Sequence, residues 1–472
     1  MTLTDELARL TVGKEKHPIR EPAIGAAKML LLDALGCAIA GWNAGGCREI
    51  ITLMHDWGGK PEASILLYGG SLPAPNAAFA NSVLIHAQDF DDVYIPGLLH
   101  ISSIVVPAVL AVGQARRTTG REALEAMVMG VEVAARIGME ENGFRRGNTF
   151  LPSSLVGGFG GVAAAARLMG MNPDQCRHAL GINYAQVSGN RQALIDSTLT
   201  KRMQPALAVR SALWSAALAS RGLTGPHQPL EGEAGYYRAY TDLPEPPAPG
   251  SFLRVTEEMQ IERISYKHYP SCGISHPCQL AVETLLAEED FHPSKVTRVE
   301  IFGVPPGGLV SRPFEIGPDP QVDAQFSIAW AVAHTLLRGR ATLADYQGER
   351  VIADREVIQL ARLITYIPTP ERLPDDGLAA DVPRHGVVLT LDDGRRLMRF
   401  RSPSEVMRPG NRSPDELTAK FYECLSYSGI ASRSQGEEIV GEIMQLDTAE
   451  SLEGLLASLP HIPSERSSRA QN

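Results

Sequence analysis

Six cysteines in 472 residues are too few for a disulfide framework, and aromatic residues make up only 6% of the chain. No basic excess exists: 44 Lys and Arg stand against 54 Asp and Glu, a net charge of −10. That balance argues against a nucleic acid or an anionic membrane as partner. The most apolar long stretch, residues 101–115, is shorter than the ~20 residues a membrane span needs, and it contains Pro107 and Gln114. The N-terminus, MTLTDELARLTVGKEKH, has no basic start followed by an apolar core, so no secretory leader is expected. The expectation is a soluble protein of a reducing, cytoplasmic compartment. Cofactor signatures are also missing. There is no G-x-x-x-x-G-K-[ST], no H-E-x-x-H and no G-x-S-x-G. The glycine run at 157–161 follows no strand and leads into alanine-rich sequence, which suits close helix packing better than dinucleotide binding.

Small and stiff residues are plentiful, with 44 Gly and 33 Pro spread without a repeat. The first half reads as successive helices over 23–40, 76–88, 107–117, 121–137, 155–169, 173–187 and 206–221. Pro22 suits a first turn, and 23–40 is apolar around most of its circumference, interrupted by Lys28 and Asp33. Such a pattern belongs to a buried helix. The loop LPEPPAPG (243–250) marks a change of texture. An alternating strand is expected at 295–304, a helix at 326–337, and a hairpin at 386–400 around Asp393 and Gly394. Helices return at 417–427 and 434–444. The predicted fold is mainly α. Both chain ends (1–264 and 402–461) form a large all-helical domain, a smaller α+β domain is inserted at 265–401, and 462–472 is a flexible tail.

Four segments concentrate reactive side chains. Asp89, Asp91 and Asp92 crowd the end of a buried-looking helix, with His100 following; repulsion should raise at least one carboxyl pKa. Acid/base work and simple capping weigh about equally there. Ser153 and Ser154 precede the glycine run, where capping is the commoner role. Lys201, Arg202 and Gln204 stand before an alanine-rich helix and could meet an acidic substrate. Lys267, Tyr269, Cys272 and His276 lie at the expected domain junction, where ligand sites favour forming. His268, Cys272, His276 and Cys278 have zinc-suited side chains, but the spacing matches no familiar site and prolines interrupt it, so no metal is assigned. Together these residues suggest cofactor-independent proton chemistry on a small anion, with lysines neutralising enolate-like charge.

The chain resembles the MmgE/PrpD family. LDALGCAIAG (32–41) is similar to its D-x-x-G-x-x-x-x-G opening helix, and Asp89-Phe90-Asp91-Asp92 with His100 resembles its D-F-D-D…H segment. Residues 158–170 resemble its small-residue helix. TGP (224–226) with LEG (230–232), the K-x-Y-P-x-C…H pattern from Lys267 to His276, and DAQFS (323–327) follow in order. The resemblance implies a helical domain with an inserted lid, a homodimer, no cofactor and a small carboxylic acid as substrate. It implies catalytic roles for Asp89, His100, Lys201 and His276. Lys267, Arg202, Gln204, Ser153, Tyr269 and Cys272 are the expected substrate-binding residues. Leu151 and Gln204 stand where family members often carry histidine; leucine cannot transfer a proton and an amide cannot act as a base. The implied activity is a hydro-lyase, 2-methylcitrate dehydratase-like, acting on a hydroxylated di- or tricarboxylic acid. An isomerase or epimerase of the iminodisuccinate type is the alternative, and a cis-aconitate-type decarboxylase ranks below both.

Overall fold

A computed structural model describes residues 1–13, 19–139, 149–251, 258–373, 375 and 382–462. The chain divides into two compact units. The first comprises Met1–Arg191, Arg202–Tyr266 and Arg412–Asn472, and the second Gln192–Lys201 and Lys267–Asn411. The sequence reading placed the breaks at 264/265 and 401/402 and kept 192–201 in the helical body. The expected flexible tail lies, from residue 463 on, outside the described residues.

The first unit begins with α1 (Leu3–Val12), α2 (Glu21–Gly41), α3 (Cys47–Trp57), α4 (Ala74–His86), α5 (Ser102–Arg116), α6 (Gly120–Met139), α7 (Pro152–Leu168) and α8 (Pro173–Tyr184). Helix α2 is the central element. It packs against α4, α5, α6 and the C-terminal helix Pro414–Ser428, so its whole circumference must be apolar. Among its buried residues is Asp33. The apolar stretch at 101–115 is too short to cross a membrane, whereas α2, by length and composition, could. However, 78% of its most apolar window is buried inside the protein. The all-helical expectation also needs amendment: β1 (Ala63–Ser64) and β2 (Ser71–Leu72) form a short antiparallel pair in this unit.

Helix α5 starts five residues before Pro107, the expected start. Proline lacks the N–H that would bond the carbonyl four residues back. That carbonyl belongs to Ser103, and the Ser82 hydroxyl of α4 donates to it at 2.5 Å. The freed acceptor is therefore satisfied from a neighbouring helix, and α5 runs through its proline.

The second unit is built on a four-stranded sheet of order β4-β3-β5-β6: β3 (Val296–Phe302), β4 (Thr365–Ile367), β5 (His385–Leu391) and β6 (Arg396–Arg401). β5 and β6 form the expected hairpin, with Gly394 at φ 87° in the turn. β3 runs antiparallel to β5 and parallel to β4. Phe302, Val388 and Phe400 make a buried cluster in this unit. The helices His276–Glu288 and Ile328–Arg338 pack on each other, and the former also lies against β5 and β6. Segment 192–201 is held in this unit by side chains: Arg312 donates to the carbonyls of Ile195 (3.0 Å) and Leu194 (3.2 Å), and Asp323 accepts from the Ser197 hydroxyl.

Candidate active site

Helix α4 ends at His86, and Asp89 then takes φ 51°, a left-handed conformation that aspartate tolerates better than most residues. This turn sends the chain back so that Asp91 meets His86: Nδ1 of His86 donates to Oδ2 of Asp91 at 2.8 Å, with both groups buried. Two bridges fix the next stretch. Val93 exchanges backbone hydrogen bonds with Ser265, and Tyr94 with Leu99. The Tyr94 hydroxyl donates to Gln260 at 2.6 Å, and the Gln260 N–H donates to Glu132, whose other oxygen is held by Arg136.

His100 emerges from this frame. Its backbone N–H donates to the Ser153 hydroxyl at 2.8 Å, so Ser153, at the start of α7, fixes the histidine's position. Its Nδ1 lies 2.8 Å from the Asp92 carbonyl and 3.7 Å from Oδ2 of Asp91. A carbonyl only accepts, so Nδ1 carries a proton, and in the neutral ring Nε2 is the basic nitrogen. The His100 side chain keeps 19% of its surface exposed, whereas Asp91 keeps none. Burial first, and the adjoining Asp91 second, push the Asp92 carboxyl up to about 7. The expected raised carboxyl is therefore Asp92, whose Oδ1 accepts the Ser102 N–H at 2.9 Å.

His86, Asp91 and His100 bring three possible metal-ligand atoms within 4.8 Å of one another. Both Nδ1 atoms are in hydrogen bonds, to Asp91 and to the Asp92 carbonyl, an arrangement that can relay a proton. Among the described residues His268, Cys272, His276 and Cys278 form no such grouping.

In the second unit, His276 opens the His276–Glu288 helix fully buried, its Nε2 3.3 Å from the Ser271 carbonyl and its ring edge-on to Tyr269 at 5.1 Å. Tyr269 bonds Glu283 and lies against Arg340, and burial drives its hydroxyl pKa upward. The Cys272 N–H donates to the Gln325 carbonyl at 2.9 Å, and Lys267 is buried. Lys201 sits over the Phe326 ring, 5.0 Å from its centre, so DAQFS supports the lysine. In the first unit, Arg202 donates to the Gly45 carbonyl at 2.8 Å. Gln204 clamps backbone: its Oε1 accepts the Asn190 N–H (2.8 Å) and its Nε2 donates to the Asn190 carbonyl (2.9 Å).

Sequence reasoning gave no role to His86, Asp33 or Lys420. Lys420 Nζ lies 2.6 Å from Oδ1 of Asp33, donates to the Phe90 carbonyl at 2.7 Å and sits 4.0 Å over the Phe90 ring. The signals were there. An aspartate inside an all-apolar helix must have a partner. Leu417, Lys420, Phe421 and Cys424 share one helical face, which puts a lysine on a buried stripe.

Known proteins share much of this sequence. The cis-aconitate decarboxylase of Homo sapiens is 26% identical over 79% of this chain and 78% of its own length. That of Mus musculus is 24% identical over 95% and 91%, and that of Aspergillus terreus 25% over 97% and 96%. The family model of the MmgE/PrpD N-terminal domain matches residues 5–248, and that of the MmgE/PrpD C-terminal domain matches residues 269–446. With both domains matched in order over most of its length, the chain belongs to the MmgE/PrpD family.

Proposed function

We propose that this protein is a lyase of small polycarboxylic acids that moves a proton beside a carboxylate, and that its reaction is the removal of water from a hydroxylated di- or tricarboxylic acid. The observation that carries this is the His100 arrangement: Nδ1 is fixed by the Asp92 carbonyl, and the Asp91 carboxylate lies 3.7 Å away to sustain an imidazolium. Such a group gives up a proton and takes one back near neutral pH. In dehydration, a base removes the proton α to a carboxylate, the C–O bond breaks, and His100 delivers its Nε2 proton so that the hydroxyl leaves as water. His86 holds Asp91 in place through the 2.8 Å bond. Lys201 and Lys267 supply the cations that a polycarboxylate and its enolate-like intermediate require. Asp89 and His276 complete the proposed acid/base set, and the working protein is a homodimer.

A second reading, a carboxy-lyase, is favoured by the relatives that match nearly the whole chain, which are cis-aconitate decarboxylases. Loss of CO2 from an unsaturated acid also needs a proton delivered to carbon, which the same histidine can supply. Incubating the full chain with hydroxy, unsaturated and amino di- and tricarboxylic acids in D2O, followed by NMR, separates these. An alkene formed with water supports the hydro-lyase. Release of CO2 with one deuterium gained at carbon replaces it with the carboxy-lyase. Deuterium gained with inversion and no alkene overturns both in favour of an epimerase.

A further inference from the structure

Behind His100 lies a buried charge cluster of which the proposed chemistry uses only Asp91 and the Asp92 backbone carbonyl. Asp33 comes from α2, Asp91 and Asp92 from the turn after α4, and Lys420 from the Pro414–Ser428 helix; all four are buried. Lys420 is the cation in contact with Asp33, and it also grips the Phe90 carbonyl immediately before Asp91. We propose that Lys420 is a positioning residue for proton transfer: it anchors the backbone that presents Asp91 and Asp92, and with Asp33 it fixes the net charge against which His100 gains and loses its proton. This rests on reading His100 as the proton-transfer group.

The groups around the pair are few. On α2 they are Asp33 and the Cys37 thiol; on the C-terminal helix, Lys420 and the Cys424 thiol. Arg412 acts on Asp33 from the segment before that helix. Asp91, with His86 beside it, and Asp92 belong to the turn. Ser102 of α5 bonds Asp92, and the buried Tyr266 hydroxyl faces Asp33 and Asp92. Asp33 and Asp91 stand with Lys420 and Arg412, and Asp92, pushed up to about 7, adds negative charge as it ionises. Asp33 is itself among the charges that raise Asp92, after burial and Asp91. A lysine contributed by the C-terminal segment thus bears directly on the turn that carries the acid/base residues.

The test is the imidazole titration of His100, followed by NMR on the full chain with labelled histidine and with the signal assigned through H100Q. Asp33→Asn keeps the shape of α2 and leaves the Lys420 charge uncompensated. The surrounding potential then becomes more positive, and the His100 midpoint should fall by about half a pH unit or more. The double change D33N/K420M removes both charges and should return the midpoint to within ~0.3 unit of the parent, as should the conservative K420R. A folded D33N protein with an unmoved midpoint overturns the proposal, because a purely structural ion pair would alter the melting temperature and leave the titration alone. Should the double variant not fold, D33N against K420R decides. The titration needs no substrate, so a failed lyase assignment leaves its outcome intact.

Discussion

Asp323 accepts the Ser197 hydroxyl on one carboxylate oxygen and the Gly317 N–H, at 2.6 Å, on the other. Ser197 is buried in a left-handed conformation, φ 50°, which costs a non-glycine residue about 1 kcal/mol and persists only where surrounding bonds enforce it. The carboxylate thus ties the segment ending at Lys201 into the second unit, while Phe326, three residues on, lies under the lysine itself. One short motif, DAQFS, holds a strained turn and a cation together.

Replacing Asp323 with Ala should therefore act twice. The buried Ser197 hydroxyl loses its acceptor, a cost of about 1–3 kcal/mol, the exposed Gly317 loses an N–H bond that water can replace, and Lys201 loses its fixed approach. Urea unfolding should shift to lower midpoint, and KM for the acid identified by the D2O screen should rise about tenfold or more, with kcat less affected. An unchanged unfolding midpoint together with an unchanged KM would remove the tether from the account.

The carboxyl of Asp92 gives a pH dependence with a definite sign. Its folded pKa, about 7, lies above the ordinary value of 3.8, so the native state holds a proton that the unfolded chain releases. The resulting stability is fully present below pH ~4 and is lost as pH rises through about 7. Replacing it by Asn keeps a neutral side chain at every pH. D92N should flatten the stability curve between pH 5 and 8 and exceed the parent in stability above pH 7, on the order of a few kcal/mol at most. Denaturant midpoints across that pH range check this; parallel curves for the two proteins would contradict it.

His100 and His86 should separate by magnitude. Replacing His100 with Gln removes the group whose Nε2 exchanges the proton, and kcat should fall about 100-fold or more with KM nearly constant. H86Q leaves His100 intact but loosens Asp91, so the fall should be about tenfold, accompanied by a shifted pH profile. Equal losses in both variants would argue that the two histidines act alike, and H100Q with full activity would end the role assigned to it.

What the sequence showed and what it hid follow from the range of the interactions. The buried character of α2 was legible because apolar residues cover its circumference, and the β5–β6 hairpin because alternation flanks Asp393 and Gly394. β4 was not, since three residues beginning with an exposed threonine carry no period. Nor was the placement of 192–201, which depends on single side chains, Arg312 and Asp323, more than 100 positions away. In the site, crowding of three carboxylates announced a raised pKa, but not which one. His86 and Asp91 are five positions apart, a spacing that meets on no helix face; only the left-handed turn at Asp89 joins them. The clamp that Gln204 makes on the Asn190 backbone was hidden too, because that partner has no signature in sequence.

The two glycines of the opening helix motif make a last prediction, because α2 contains its own control. At Gly41 an added methyl would lie 2.1 Å from the Leu84 carbonyl oxygen, where α2 and α4 touch backbone to backbone; at Gly36 it would press on the Phe421 ring of the C-terminal helix at 3.2 Å. At Gly25, on the same helix, it would meet nothing within 4 Å. Gly25→Ala should leave stability unchanged or raise it by about 0.5–1 kcal/mol, as alanine favours helix and restricts the unfolded chain. Gly41→Ala forces the helices apart and should cost about 3 kcal/mol or prevent folding, with Gly36→Ala between them. Since α4 carries His86 at its end, G41A should also slow turnover, whereas G25A should not. Thermal melts of the three variants, measured with the turnover of each, would contradict this picture if G41A matched G25A.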